Sequence, residues 1–172
     1  MNIFVLDENP ITAASYIDDQ RLSKMIIESG QMMRAALGRH GLTEEKCIEY
    51  GILTSKGTPW KITHKNHPCT LWAGDSWANF DWLANHAIGL CVEFKSRFGK
   101  THACEEPILL MNHLHLKQYK RDKLTPFAQA MPDEFKDEDG VVAYRNYYQS
   151  KNNIRYKTTP FPNWWQGVEV TA

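Results

Sequence analysis

Between residues 75 and 98, Trp77, Phe80, Leu83, Ala87, Leu90, Cys91, Phe94 and Phe98 recur at helical spacing, and Gly99 follows. A run of this kind predicts one long helix closed by a glycine, with an apolar face that other elements must cover. A second helix is expected over about 18–37, stopped by Gly38 and Gly41. At about 100° per residue its Leu22, Met25, Ile26, Ser29, Met33, Ala36 and Leu37 share one face. Further helix starts lie at Asn9-Pro10, at Thr43-Glu44-Glu45 and at His67-Pro68, where a capping side chain precedes proline or acidic residues. Helices are also expected over 105–119 and 141–149. Residues 1–6 are either strand-like or a plug in the core, 52–66 form a loop with an extended piece around 60–63, and 125–135 form a proline-punctuated loop. The pattern predicts a mainly α fold: one compact helical domain over 1–172, of about five helices, with an irregular aromatic C-terminal tail.

At 172 residues and 42% hydrophobic content the chain can build one continuous core. Its 20 basic and 20 acidic residues balance, so nucleic acid or an anionic surface must be held by a local patch and not by net charge. No window approaches the ~18 apolar residues of a membrane span, and Asp7 and Glu8 stand where a signal peptide carries positive charge. A cytoplasmic location and no membrane partner are therefore expected. Cys47, Cys69, Cys91 and Cys104 form no CxxC pair and read as free thiols. Phosphate-loop, GxGxxG, GxSxG and HExxH patterns are absent, which argues against a kinase, a dinucleotide dehydrogenase or a serine hydrolase, and no cofactor is expected.

On the helix over 18–37, Arg21, Lys24, Glu28 and Gln31 form a polar stripe bordering the core. A carboxylate there, with cations four and seven residues before it, is either an ordinary helix ion pair or a partly desolvated group suited to electrostatic or general acid/base work. On the central helix, Asn79, Trp82, His86, Glu93 and Arg97 lie away from the main core direction. Trp82 is then either packed under the tail or a stacking surface for a base whose edge Asn79 and His86 would meet. The segment His64-Lys65-Asn66-His67-Pro68-Cys69 lacks a second ligand pair at a recognised spacing, so no metal site is expected; Asn66 or His67 caps the next helix or lines a pocket. His40, His102, His113 and His115 have no assignable partners. From 144 to 165 there is no acidic residue, while Arg145, Lys151, Arg155 and Lys157 alternate with Tyr144, Tyr147, Tyr148, Tyr156, Phe161, Trp164 and Trp165. Such interleaving suits phosphates and stacked bases, and equally suits a tail whose aromatics cover the helices; Lys117, Lys120, Arg121 and Lys123 extend the same patch.

Asp19-Gln20-Arg21-Leu22, with Glu28 nine residues after the Asp, resembles the first long helix of the endonuclease V-type pyrimidine-dimer DNA glycosylases. The Phe-Asp-Trp-Leu segment, the Glu93-Phe-Lys-Ser-Arg-Phe-Gly ending and the terminal Pro-Asn-Trp-Trp resemble that family's central helix and aromatic C-terminus. The chain also looks like small phage-encoded proteins that begin Met-Asn-Ile-Phe and carry an Asn-His-Pro loop. The resemblance implies an all-α fold and a glycosylase with lyase activity, in which the N-terminal amine attacks the sugar carbon and Glu28 stabilises the developing cation. Two positions depart from the family pattern. Asn2, a residue large enough to oppose removal of Met1, stands where the family exposes a Thr amine, and Ile27 replaces a DNA-contacting Arg.

The reading that follows is a DNA base-processing protein, with Glu28 and the Met1 amine as catalytic groups. Arg21, Lys24, Gln31, Asn66, His67, Asn79, Trp82, His86, Arg145 and Tyr148 are its candidate substrate contacts. A module that captures a free nucleotide without turning it over, a phage enzyme that modifies DNA bases, and a protein-interaction factor using the aromatic tail are alternatives. The oligomeric state is left open.

Overall fold

A computed structural model of the chain describes residues 1–114, 119 and 122–167. Its helices are α1 (Pro10–Ser15), α2 (Asp19–Arg39), α3 (Glu44–Tyr50), α4 (Pro68–Asp75), α5 (Trp77–Phe98), α6 (Glu105–Asn112) and α7 (Gly140–Gln149), with a 3-10 turn at Asp133–Phe135. No strand forms among the described residues; Leu53 and Pro59 make an isolated antiparallel bridge, upstream of the extended piece expected around 60–63.

The helix starts follow from their caps. Asn9 accepts from the N–H groups of Ile11 and Thr12, Asp18 from Gln20, His67 from Cys69, and Asp139 from Val141 and Val142. Each side chain satisfies donors that a helix leaves unpaired at its first turn. Ser76 adopts extended angles and accepts from the Asn79 N–H, which separates α4 from α5. The proline-marked starts thus each become a short helix of their own, and among the described residues seven α-helices stand where about five were expected. The expected 105–119 helix ends at Asn112; residues 115–118, including His115 and Lys117, lie outside the described residues, as do Lys120 and Arg121.

Helix α5 is the axis of the fold, with α1, α2, α4 and α6 packed on it. Gly89 lets α1 approach: a Cβ there would sit 2.9 Å from that of Ala14. The same enclosure takes in Asn79, Trp82 and His86, which helical spacing alone places away from the main core direction, and packs Trp82 where a stacking surface was the alternative. Asn79 is buried, giving its Nδ2 protons to the Trp72 carbonyl (2.8 Å) and Thr125 Oγ1 (2.7 Å) and accepting the Thr125 N–H (2.9 Å). Trp82 donates to the Glu8 carbonyl (2.8 Å) and stacks on His86 at 5.0 Å between centroids. The fully buried His86 donates from Nδ1 to the Pro10 carbonyl (3.0 Å), and burial pushes its pKa down to about 4. Arg97 spans Asp19 and Glu93 with a side chain 1% exposed.

Residues 1–6 form a buried plug without strand pairing, and Phe4 takes the left-handed φ of 37°. The loop between α3 and α4 is tied down by Arg34, buried in α2, which donates to the carbonyls of Trp60 (2.7 Å) and Leu42 (3.0 Å). Most aromatics of the C-terminal segment cover helices. Tyr144 and Tyr148 are fully buried, and the Tyr156 hydroxyl donates to the Tyr16 carbonyl.

Candidate active site

The start of α2 is fixed by the C-terminal segment. Tyr148 donates its hydroxyl proton to Asp18 at 2.5 Å, the Asp19 N–H donates to the Arg155 carbonyl (2.9 Å), and the Lys157 N–H donates to Asp19 (2.8 Å). On this anchored helix Glu28 points into a cavity of about 270 Å³ lined by Met1, Asn2, Phe4, Arg21, Lys24, Met25, Ala130, Tyr147 and Lys151. The carboxylate belongs to a residue only 9% exposed. It accepts the Asn2 backbone N–H at 3.0 Å, lies 3.8 Å from the Met1 ammonium and 3.6 Å from Lys24 Nζ. A carboxylate with little water around it acts more strongly on a neighbouring charge than one in bulk solvent.

The chain end is brought there by a hook built on Asn2. Its Oδ1 accepts from the N–H groups of Ile3 (2.8 Å) and Phe4 (3.0 Å), and its Nδ2 donates to the Ala130 carbonyl (2.8 Å). The Met1 side chain is 3% exposed, and its sulfur accepts from the Thr70 hydroxyl at 3.7 Å. His67, capping α4, titrates below the ordinary histidine range because of burial first and the Met1 ammonium second, with Glu28 opposing. Burial pushes the nearby Cys69 thiol up to about 11, which keeps it protonated and unreactive.

The candidate residues divide by location. Met1, Arg21, Lys24 and Glu28 meet in this cavity. Gln31 instead lines a larger cavity of about 440 Å³ beside Ile27, Trp60 and Cys104. Asn66 borders a third, of about 350 Å³, with Arg39 and Thr70. Asn79, Trp82 and His86 are core groups with partners inside the helix bundle, as described above. Tyr148 is also buried, its hydroxyl committed to Asp18, and Arg145 is spent on the Leu6 carbonyl (2.9 Å), on Asp7 (3.4 Å) and on the face of Trp164 (5.1 Å). Of the α7 side chains, Tyr144 and Tyr148 turn into the core while Tyr147 lines the cavity. The cavity walls Phe4, Met25 and Ala130 carried no polar signal in the sequence, and Tyr147 and Lys151 stood out only as parts of the basic-aromatic run.

Among the described residues no cluster of three His, Cys, Asp or Glu side chains is placed to hold a metal ion, and no helix is long and apolar enough to cross a membrane. Neither a curated protein nor a solved structure matches the chain. A family model does, over residues 1–106, a stretch that contains Asn2, all of α2 and the whole of α5. By that match the chain belongs to the pyrimidine dimer DNA glycosylase family.

Proposed function

We propose that the protein excises a damaged or modified base from DNA by glycosylase/lyase chemistry at the Glu28 cavity. Family membership supports a DNA glycosylase with DNA as its substrate. The finer reading rests on one observation: an amine and a carboxylate 3.8 Å apart, the amine from Met1, in a cavity rimmed by cations. In this reading the unprotonated Met1 amine attacks the sugar C1′ and the base leaves with the electrons of the glycosidic bond and a proton from the amine; the C1′–O4′ bond then breaks, its oxygen taking a proton from water, so that an iminium joins protein to the opened sugar. The Glu28 carboxylate stabilises the cationic sugar as the base departs; such electrostatic stabilisation is the largest contribution in many enzymes. Lys24, 3.6 Å from the Glu28 carboxylate, and Arg21 add positive charge that attracts the DNA backbone.

Borohydride reduces an iminium to a stable amine, so the intermediate can be captured. Incubating the protein with duplexes carrying pyrimidine dimers or modified pyrimidines plus borohydride should yield a covalent adduct, with Met1 in the adducted peptide by mass spectrometry. Glu28→Gln should abolish it. No adduct, together with a large thermal shift from free nucleotides, would replace this reading with a nucleotide-capturing module.

A further inference from the structure

Four cations line the Glu28 cavity, and their partners differ. Arg21 directs one terminal nitrogen to the Asp18 carboxylate (3.1 Å) and the other to the Asn152 carbonyl (3.2 Å). The Met1 ammonium and Lys24 share Glu28. Lys151 has no carboxylate partner among the described residues; its ammonium lies over the Tyr147 ring, 3.7 Å from the centroid. An aromatic face holds a cation without neutralising it, so the positive charge is left available at the rim of the cavity.

The backbone around Lys151 is held while its side chain stays half-buried. Its own N–H donates to the Tyr148 carbonyl (3.0 Å), and the next residue's carbonyl is the one that Arg21 grips. Tyr147 is itself stacked on Phe4 at 6.0 Å and packed on Phe135 at 5.4 Å, so the platform under the ammonium belongs to the same wall as the N-terminal plug. The geometry points to Lys151 as the phosphate contact of this site: a positioning residue that binds a backbone phosphodiester beside the target nucleotide and sets it against Glu28. The inference deepens the glycosylase reading and rests on it for the identity of the site, while the contact itself is readable by binding alone. Among the cations of the 144–165 run it separates Lys151, which lines the cavity, from Arg145, which is committed to Leu6, Asp7 and Trp164.

A phosphate contact has a signature in salt. Each one adds about 0.9 to the slope of log K against log salt concentration for duplex DNA. Fluorescence-anisotropy titrations of a short duplex over a salt series should show that slope smaller by about 0.9 in Lys151→Ala, with affinity at low salt about tenfold weaker, and Lys151→Arg restoring both. In turnover assays the loss should appear in KM and not in kcat. An unchanged salt slope overturns the inference, as does a fall in kcat with KM preserved, and so does a loss of affinity for thymidine monophosphate alone with duplex binding intact. Thermal melting of each variant separates these results from misfolding. If the wild-type chain binds duplex with the expected slope but excises nothing, the glycosylase reading fails and the phosphate contact stands.

Discussion

Two polar clusters, one on α2 and one on α5, look alike as residue patterns and differ in everything that matters to chemistry. On α5, Asn79, Trp82 and His86 are closed in by α1, α4 and the 125–127 segment, and the Asn79 amide, the Trp82 N–H and the His86 Nδ1 proton have partners inside the protein. On α2, Glu28 is nearly as buried, yet its partners are a chain terminus, an exposed lysine and one backbone N–H, around a cavity. Burial of polar groups is therefore common to both; the nature of the partners separates them. Fixed carbonyls make a polar group part of the core, whereas neighbouring amines beside an open volume leave it able to act on something else.

This contrast predicts opposite outcomes for substitutions on the two helices. The largest effect should come from Glu28→Gln, which keeps the shape and removes the charge: excision should fall by about 10²–10⁴-fold, as for other positioned carboxylates, measured by single-turnover cleavage of a lesion-bearing duplex. Loss of folding with no specific effect on turnover would make the α2 cluster as structural as that of α5. Next is acid stability. His86 is held neutral in the fold, with its pKa at about 4, whereas an unfolded histidine titrates near ~6.5. The folded state thus binds fewer protons. Stability is complete above pH ~6.5 and should fall by about 3 kcal/mol as pH drops toward about 4. Urea unfolding at pH 7 and pH 4 should show this fall, and His86→Gln should lack most of it.

Asn79→Ala should cost about 1–3 kcal/mol, since it strands the buried Trp72 carbonyl and removes the acceptor of the Thr125 N–H. Excision per folded molecule should stay within about twofold, a bound set by the absence of any contact between Asn79 and the α2 cavity. A large catalytic loss with normal melting would break the comparison from the other side. The smallest effect belongs to Lys24→Ala. Its side chain is 75% exposed, so its pairing with Glu28 is worth about 0.3–0.5 kcal/mol in chemical unfolding.

The helices themselves were legible in the sequence because capping and periodicity are local. Asn9-Pro10, Asp18, His67-Pro68 and Gly99 mark boundaries within a residue or two of those observed. Glu28, Arg21 and Lys24 were legible too, as neighbours on one face of a single helix. What periodicity does not carry is how many other helices surround a given one. That is why helical spacing puts Asn79, Trp82 and His86 away from the main core direction and leaves Trp82 open to packing or stacking, and why it does not show that Tyr148 and Arg145 anchor α2 and the N-terminal plug. Nor does any local pattern bring Asn2 to Ala130 or Lys151 to the Glu28 cavity. Those juxtapositions depend on where residues 1–4 meet the 130–151 segment, which is a property of the assembled fold.

Arg34 carries a consequence for how this protein can change over generations. A permanently charged guanidinium enclosed by the core, held by carbonyls of Trp60 and Leu42, makes helix and loop mutually dependent. Shortening the loop near Trp60 would strand that cation, and replacing the cation would free the loop that walls the larger cavity. Length variation should therefore be tolerated around Lys56 and Gly57, at the outer tip, and selected against next to Trp60.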